Sequence, residues 1–317
     1  MFAKLFNNIS PRNLLNAILV LLLLASSFWL YPVSEWQWFP KSEWQAPLAG
    51  PIISFISFTL ISILAPLIFA ESQNRRHNFE GQYLVLLIAG MLLWLWIYPL
   101  NAGPQIWSLF LFGLILASTI PLLRPDSNSS ALSYTVGLGI SIASFINGES
   151  IVLLLIPFGI LASVRRLNGR TVLALILGYG SGLYFAFSFD FLLDWSLIAT
   201  WLNEIQSLDF FHFNRSHKRL ATLIPVGLFL VISILVNLSQ GHHYNNEQRK
   251  EINYWIFLQL IGVSAFFLFE NSNFWLGLCL WPAAALGTLA IQGLQNRWLK
   301  DGLLILPLLA YLSTFFV

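Results

Sequence analysis

Charge is what this sequence lacks most. Asp, Glu, Lys and Arg make up 9% of its 317 residues, where a water-soluble domain carries about a quarter. So few charges cannot solvate the outside of a soluble fold. A mean hydropathy of +0.73 directs the remaining surface to lipid. Cysteine is nearly missing too. A single Cys279 excludes an intramolecular disulfide framework, and inside an apolar run it reads as a small buried hydrophobe. There is no phosphate-cradling P-loop, zinc motif, GxSxG elbow or CxxC, so an ATP-driven machine on its own is excluded by motif. No metal and no cofactor is expected. A net charge of +2 gives no hold on nucleic acid, which is not expected as a partner.

What the sequence has is apolar runs of membrane-spanning length. Eleven are read, at about 13–31, 51–70, 82–100, 105–123, 131–146, 151–164, 171–188, 220–238, 254–269, 273–293 and 302–317. Thirteen Trp and nine Tyr fit the aromatic belts of a bilayer interface. Residues 1–12 read as an interfacial lead-in, with Ser10-Pro11 placed to start a helix. A cleaved signal peptide is not expected, because Phe28-Trp29-Leu30 continues the apolar run past the small residues Ala25-Ser26-Ser27.

The runs 131–146 and 151–164 fall short of the roughly 20 helical residues that a bilayer core requires. They read as short spans, half-helices or a re-entrant pair. The region 189–218 is the one long stretch outside the spans. Its first part reads as an interfacial amphipathic helix, with Asp190 and Asp194 four apart on one face.

Basic residues orient the chain. With the N-terminus in the cytoplasm and eleven spans alternating, the inner turns hold Lys4, Arg12, Arg75, Arg76, Arg124, Arg165, Arg166, Arg170, Arg249, Lys250, Arg297 and Lys300. The outer loops hold Lys41, Arg215, Lys218 and Arg219. A 12-to-4 division follows the positive-inside rule. Eight acids fall outside, from Glu35 and Glu43 to Glu270, and the longest loops lie there too. Any reactive site is therefore expected at the outer face. No span carries a central charge, which counts against an ion-coupled transporter.

Two polar constellations have competing readings. The cluster from Asp209 to Arg219 gathers His212, Arg215, His217, Lys218 and Arg219. Such a set can bind a phosphate or pyrophosphate, or it can anchor the chain among lipid headgroups. The five-residue spacing of His212 and His217 suits no helix face for metal binding. Glu149 lies at the tip between the two short runs. It is either a solvated turn acid or a carboxylate drawn toward the membrane for a function, such as holding substrate.

Two resemblances enter on these residues. From about Tyr83 to Phe189 the chain resembles the core of the GT-C glycosyltransferases. The similar features are Gly137-Leu-Gly139, the loop Asn147-Gly148-Glu149, Pro157 in the next run, and the basic turn Arg165-Arg166. That resemblance implies transfer of a sugar from a polyprenyl-phosphate donor at the outer face. It implies a catalytic acid in the first outer loop, where Glu35 and Glu43 stand. The whole chain also resembles a family of multi-pass inner-membrane proteins from Bacteroidota that has no assigned activity. The shared features there are the Phe-Asn-Asn lead into the first span, the polar turn from Asn74 to Tyr83, Gly139-Ile-Ser-Ile-Ala-Ser and Asn168-Gly-Arg-Thr.

The expectation is an all-α polytopic protein of the inner membrane, a single transmembrane domain over 1–317. Its GT-C-like core reaches to about 189, an outer loop covers 189–218, and the last spans cover 219–317. Its expected partners are the bilayer, a polyprenyl-phosphate lipid and a protein of the cell envelope. The rival expectation is a non-catalytic scaffold or assembly subunit of an envelope complex.

Overall fold

The computed structural model describes residues 13–20, 88–89, 91–92, 115–116, 119–123, 128–146, 148–193, 202–203, 217–241, 244–268 and 272–313. Among them the regular elements are all helical. Residues 13–20 are helical, and further along the chain lies a short 3₁₀ turn at Ile120–Leu123. Then follow α1 (Ser129–Ile146), a 3₁₀ helix (Gly148–Leu154), α2 (Leu155–Ser163) and α3 (Gly169–Leu193). After these come α4 (His217–Ser239), α5 (Asn246–Leu268), α6 (Ser272–Gly293) and α7 (Arg297–Ser313). The chain divides into two compact units. One comprises Met1–Pro104 and Phe211–Val317, the other Gln105–Phe210.

Asparagine starts the helices. Asn168 Oδ1 accepts from the Thr171 N–H at 2.9 Å, and Thr171 Oγ1 accepts from the Asn168 N–H at 3.2 Å. This reciprocal box closes two donors that a helix end otherwise leaves open. Asn245 and Gln248 do the same for α5, at 2.8 and 3.1 Å. Asn128 and Asn296 cap the starts of α1 and α7 through Ala131 N–H and Trp298 N–H.

In the Gln105–Phe210 unit, α1 and α3 run side by side in the same direction. A side chain at Gly178 would strike the Tyr134 backbone, and one at Gly137 the backbone of Leu175 and Tyr179. Gly182 faces Ser141, and the Phe145 and Phe187 rings meet edge-on at 6.3 Å. Contact partners rise together along both helices, so the pair is parallel. Small residues four apart on each helix let the two backbones approach closely.

A parallel pair needs a return path, and the 3₁₀ helix with α2 supplies it. Ile120–Leu123 packs against both α1 and α2. Seven 3₁₀ residues and nine α residues reach about 27 Å, because a 3₁₀ turn rises about 2.0 Å per residue against 1.5 Å. The eighteen residues of α1 also reach about 27 Å. The stretched geometry lets a run too short for an α-helical span match its neighbour.

In the other unit, α6 is the centre. It packs on α4, α5 and α7, and every side chain from Leu278 to Ile291 that is not glycine is buried. A helix apolar on all sides belongs inside. Its Gly287 lies under the Phe229 ring of α4. Prolines within α4, α6 and α7 (Pro225, Pro282 and Pro307) are compatible with helices that neighbours support.

Exposed faces are as apolar as the core. On α4 the exposed row is Ile224, Leu228, Val231, Leu235 and Leu238, spaced four and three apart. On α3 it includes Leu173, Ile176, Leu177, Tyr184, Phe185 and Phe191. Among the described residues, Gly169–Leu192 is the one helix long and apolar enough to cross a membrane, with mean hydropathy 1.7 and 17% of its most apolar stretch buried.

Several boundaries move from their sequence positions. α3 runs on to Leu193 rather than ending near 188, so Asp190 belongs to this helix and not to an interfacial one. α5 begins at Asn246, not near 254, because the Asn245 box starts it ahead of the apolar run.

Candidate functional site

The sequence-predicted site residues separate into three groups. Glu35, Glu43, His212 and Arg215 lie outside the described residues. His217, Lys218 and Arg219 form the first turn of α4. Glu149 lies in the first turn of the 3₁₀ helix, between Gly148 and Ser150, both buried. Among the described residues no three His, Cys, Asp or Glu side chains come together.

Sequence reading treated Asp190 as an outer-loop acid. In the structure it is 7% exposed, in the last turn of α3. The parallel α1 and α3 pair at an offset of 38 to 44 residues (175 − 137, 182 − 141, 187 − 145, 178 − 134). That register sets Asp190 level with the end of α1 and the 3₁₀ helix that follows it. A buried carboxylate and the Glu149 backbone therefore share one end of this unit, with the Phe145 and Phe187 rings just below.

Polar groups inside the α4–α7 unit are amides and hydroxyls. Asn237, 1% exposed, donates through Nδ2 to the backbone oxygens of Ser233 and Leu286, each at 2.8 Å. The second bond ties α4 to α6. Its Oδ1 accepts from the Tyr244 hydroxyl at 3.3 Å, and Gln240 Oε1 lies 3.2 Å from the same hydroxyl. One phenolic proton serves both oxygens. Burial pushes the Tyr244 phenol above its ordinary 10.0. The turn after α4 folds this tyrosine back onto the helix end.

Gln259 of α5 is the other buried amide, 2% exposed. Neither its nitrogen nor its oxygen has a hydrogen-bond partner among the described residues. It adjoins an apolar cavity of about 50 Å³ lined also by Val226, Leu230, Val263, Cys279 and Ala283. An amide neither gives up nor takes a proton near neutral pH, so this cavity offers no acid–base chemistry. A lone amide within an apolar run carries no sequence motif, which is why Asn237 and Gln259 escape a reading from sequence.

No family model, no curated protein and no solved structure matches the chain. The likeness to GT-C enzymes and to the Bacteroidota family therefore rests on the residues alone.

Proposed function

We propose that this chain is a multi-pass inner-membrane protein of eleven spans with a cytoplasmic N-terminus. Its GT-C-like core would transfer sugars from a polyprenyl-phosphate donor at the outer face. The observation that carries the membrane reading is the exposed apolar rows of α3 and α4. Water would penalise each such side chain by about 1.5–3 kcal/mol relative to burial, and lipid removes the penalty. The parallel α1 and α3 with a matched return between them support alternating spans. In this reading the α1 and α3 C-terminal ends face outward, and so do Glu149 and Asp190.

Transfer needs a base for the acceptor hydroxyl and cations for the donor phosphate. Glu35 or Glu43 is the base that the family resemblance implies. Arg215, Lys218 and Arg219 would hold the phosphate. The test is sugar transfer by the purified protein from a polyprenyl-phosphate donor. Glu35→Gln with Glu43→Gln is expected to abolish it, and full activity in that double variant sinks the mechanism.

A second reading, a non-catalytic assembly subunit of an envelope complex, is favoured by one observation. The cavity beside Gln259 is apolar and holds no titratable partner except the buried thiol of Cys279. Lipid mass spectrometry separates the two readings. Polyprenyl phosphate that co-purifies, and is lost on substitution of Arg215, Lys218 and Arg219, supports the transferase. Bulk phospholipid with a stoichiometric protein partner supports the subunit.

A further inference from the structure

The turn joining α2 to α3 is built unlike the others. α2 ends with Arg166 N–H donating to Leu161 O at 2.7 Å and Arg165 N–H donating to Ala162 O at 3.1 Å. This is the double closure of a Schellman motif, whose pivot residue takes the left-handed conformation and is usually glycine. Here the pivot is Arg165, at φ 56°, the one described non-glycine residue with positive φ. An L side chain is disfavoured there. A cation at that position therefore has a use that glycine would not serve.

Its surroundings indicate the use. Arg165, Leu167, Asn168 and Arg170 are all exposed, and Arg166 is half-buried. The hydrogen bonds that hold the turn come from backbone groups, Asn168 and Thr171, so folding does not require the guanidiniums of Arg165 and Arg170. Arg170 also sits in the first turn of α3, where the macrodipole disfavours a cation. One turn further along, the exposed apolar row of α3 begins at Leu173, Ile176 and Leu177. Cations stand at one level and an apolar wall begins about 4.5 Å along the helix axis.

We propose that the α2–α3 turn is a binding site for an anionic glycerophospholipid of the cytoplasmic leaflet. Arg165 and Arg170 take the phosphate, in the forked geometry that guanidinium offers, and the row from Leu173 takes the first part of an acyl chain. The inference rests on the membrane reading and its orientation. It adds a specific lipid site at the face opposite the proposed transfer.

The test uses the full chain in nanodiscs of phosphatidylcholine with phosphatidylglycerol, and reads retained lipid by native mass spectrometry. Wild type is expected to retain phosphatidylglycerol over phosphatidylcholine. Arg165→Gly and Arg170→Gln should each lower that preference about fivefold, the effect of one cation at a membrane surface. Arg165→Gly is the discriminating variant, because it suits the pivot and should leave thermal stability equal or higher. An unchanged preference in the folded double variant R165G/R170Q overturns the proposal. Displacement of the lipid by inorganic phosphate at equal concentration overturns the lipid assignment. Sidedness is measured separately, by labelling of Leu167→Cys. An inward turn without lipid preference overturns only this site, whereas an outward turn overturns the orientation beneath it.

Discussion

Gly178→Ala should weaken the α1–α3 pair, and its neighbour Gly180 provides the control. An alanine Cβ at 178 would lie 2.8 Å from the Tyr134 carbonyl carbon and 3.0 Å from its Cα, with the carbonyl oxygen nearer still. These are backbone atoms and cannot swing aside. Ordinary contact begins at 3.4 Å, so the helices must part by at least 0.6 Å (3.4 − 2.8). Overpacking of this kind costs about 1–3 kcal/mol. The shift also stretches the bond between Ser144 Oγ and the Tyr179 hydroxyl, now 3.2 Å, and such bonds contribute about 0.6 kcal/mol in membranes. The expected loss is about 2–4 kcal/mol. At Gly180 a Cβ meets nothing within 4 Å, so Gly180→Ala should gain up to about 1 kcal/mol from helix propensity. Reversible unfolding in mixed micelles by a denaturing detergent measures both. Equal stability of the two variants would refute the close parallel crossing.

Three further outcomes are expected. Asn237→Leu leaves the Leu286 carbonyl without its donor and should cost about 1–3 kcal/mol, measured in the same unfolding assay. Gln259→Leu removes an amide with two unpartnered atoms and should be neutral or stabilising by about 1–3 kcal/mol. A clear loss would show that the amide binds something. Tyr244 contributes a pH dependence. Its phenol is held above 10.0 by burial, so the folded state keeps the proton more tightly than the unfolded chain. That contribution is fully present below 10.0 and is lost as pH rises through the higher folded value. Unfolding followed across that alkaline range should show the decline, and Tyr244→Phe should flatten it.

Much of the fold could be read from apolar runs alone. Helices stand over the last seven runs read from the sequence, with the run at 151–164 split between the 3₁₀ helix and α2, because length and hydropathy decide a span. Ends are harder to read. Asn168 and Asn245 start their helices ahead of the apolar residues, and an asparagine reads equally well as loop. Arg165 occupies a position for which sequence reading would choose glycine, so its left-handed turn was invisible. Asp190 looked like a loop acid because a carboxylate after an apolar run normally marks the interface. Only the register of α1 and α3 brings it level with the end of α1 and the 3₁₀ helix. The buried amides gave no signal, since one polar residue in a run changes hydropathy little. Glu35 and Glu43, proposed as catalytic, and His212 with Arg215 lie outside the described residues, so their proposed roles rest on the sequence alone.

The proposed orientation of α3 is central, because it would set the arginine turn inside and Asp190 outside. Leu167 and Phe191 are exposed near its two ends, and the sole native cysteine, Cys279, is buried. Labelling of Leu167→Cys and Phe191→Cys in intact cells with a membrane-impermeant maleimide reads both sides. The account predicts modification of Phe191→Cys in intact cells and of Leu167→Cys only after permeabilisation. The reverse pattern, or modification of both in intact cells, would contradict it.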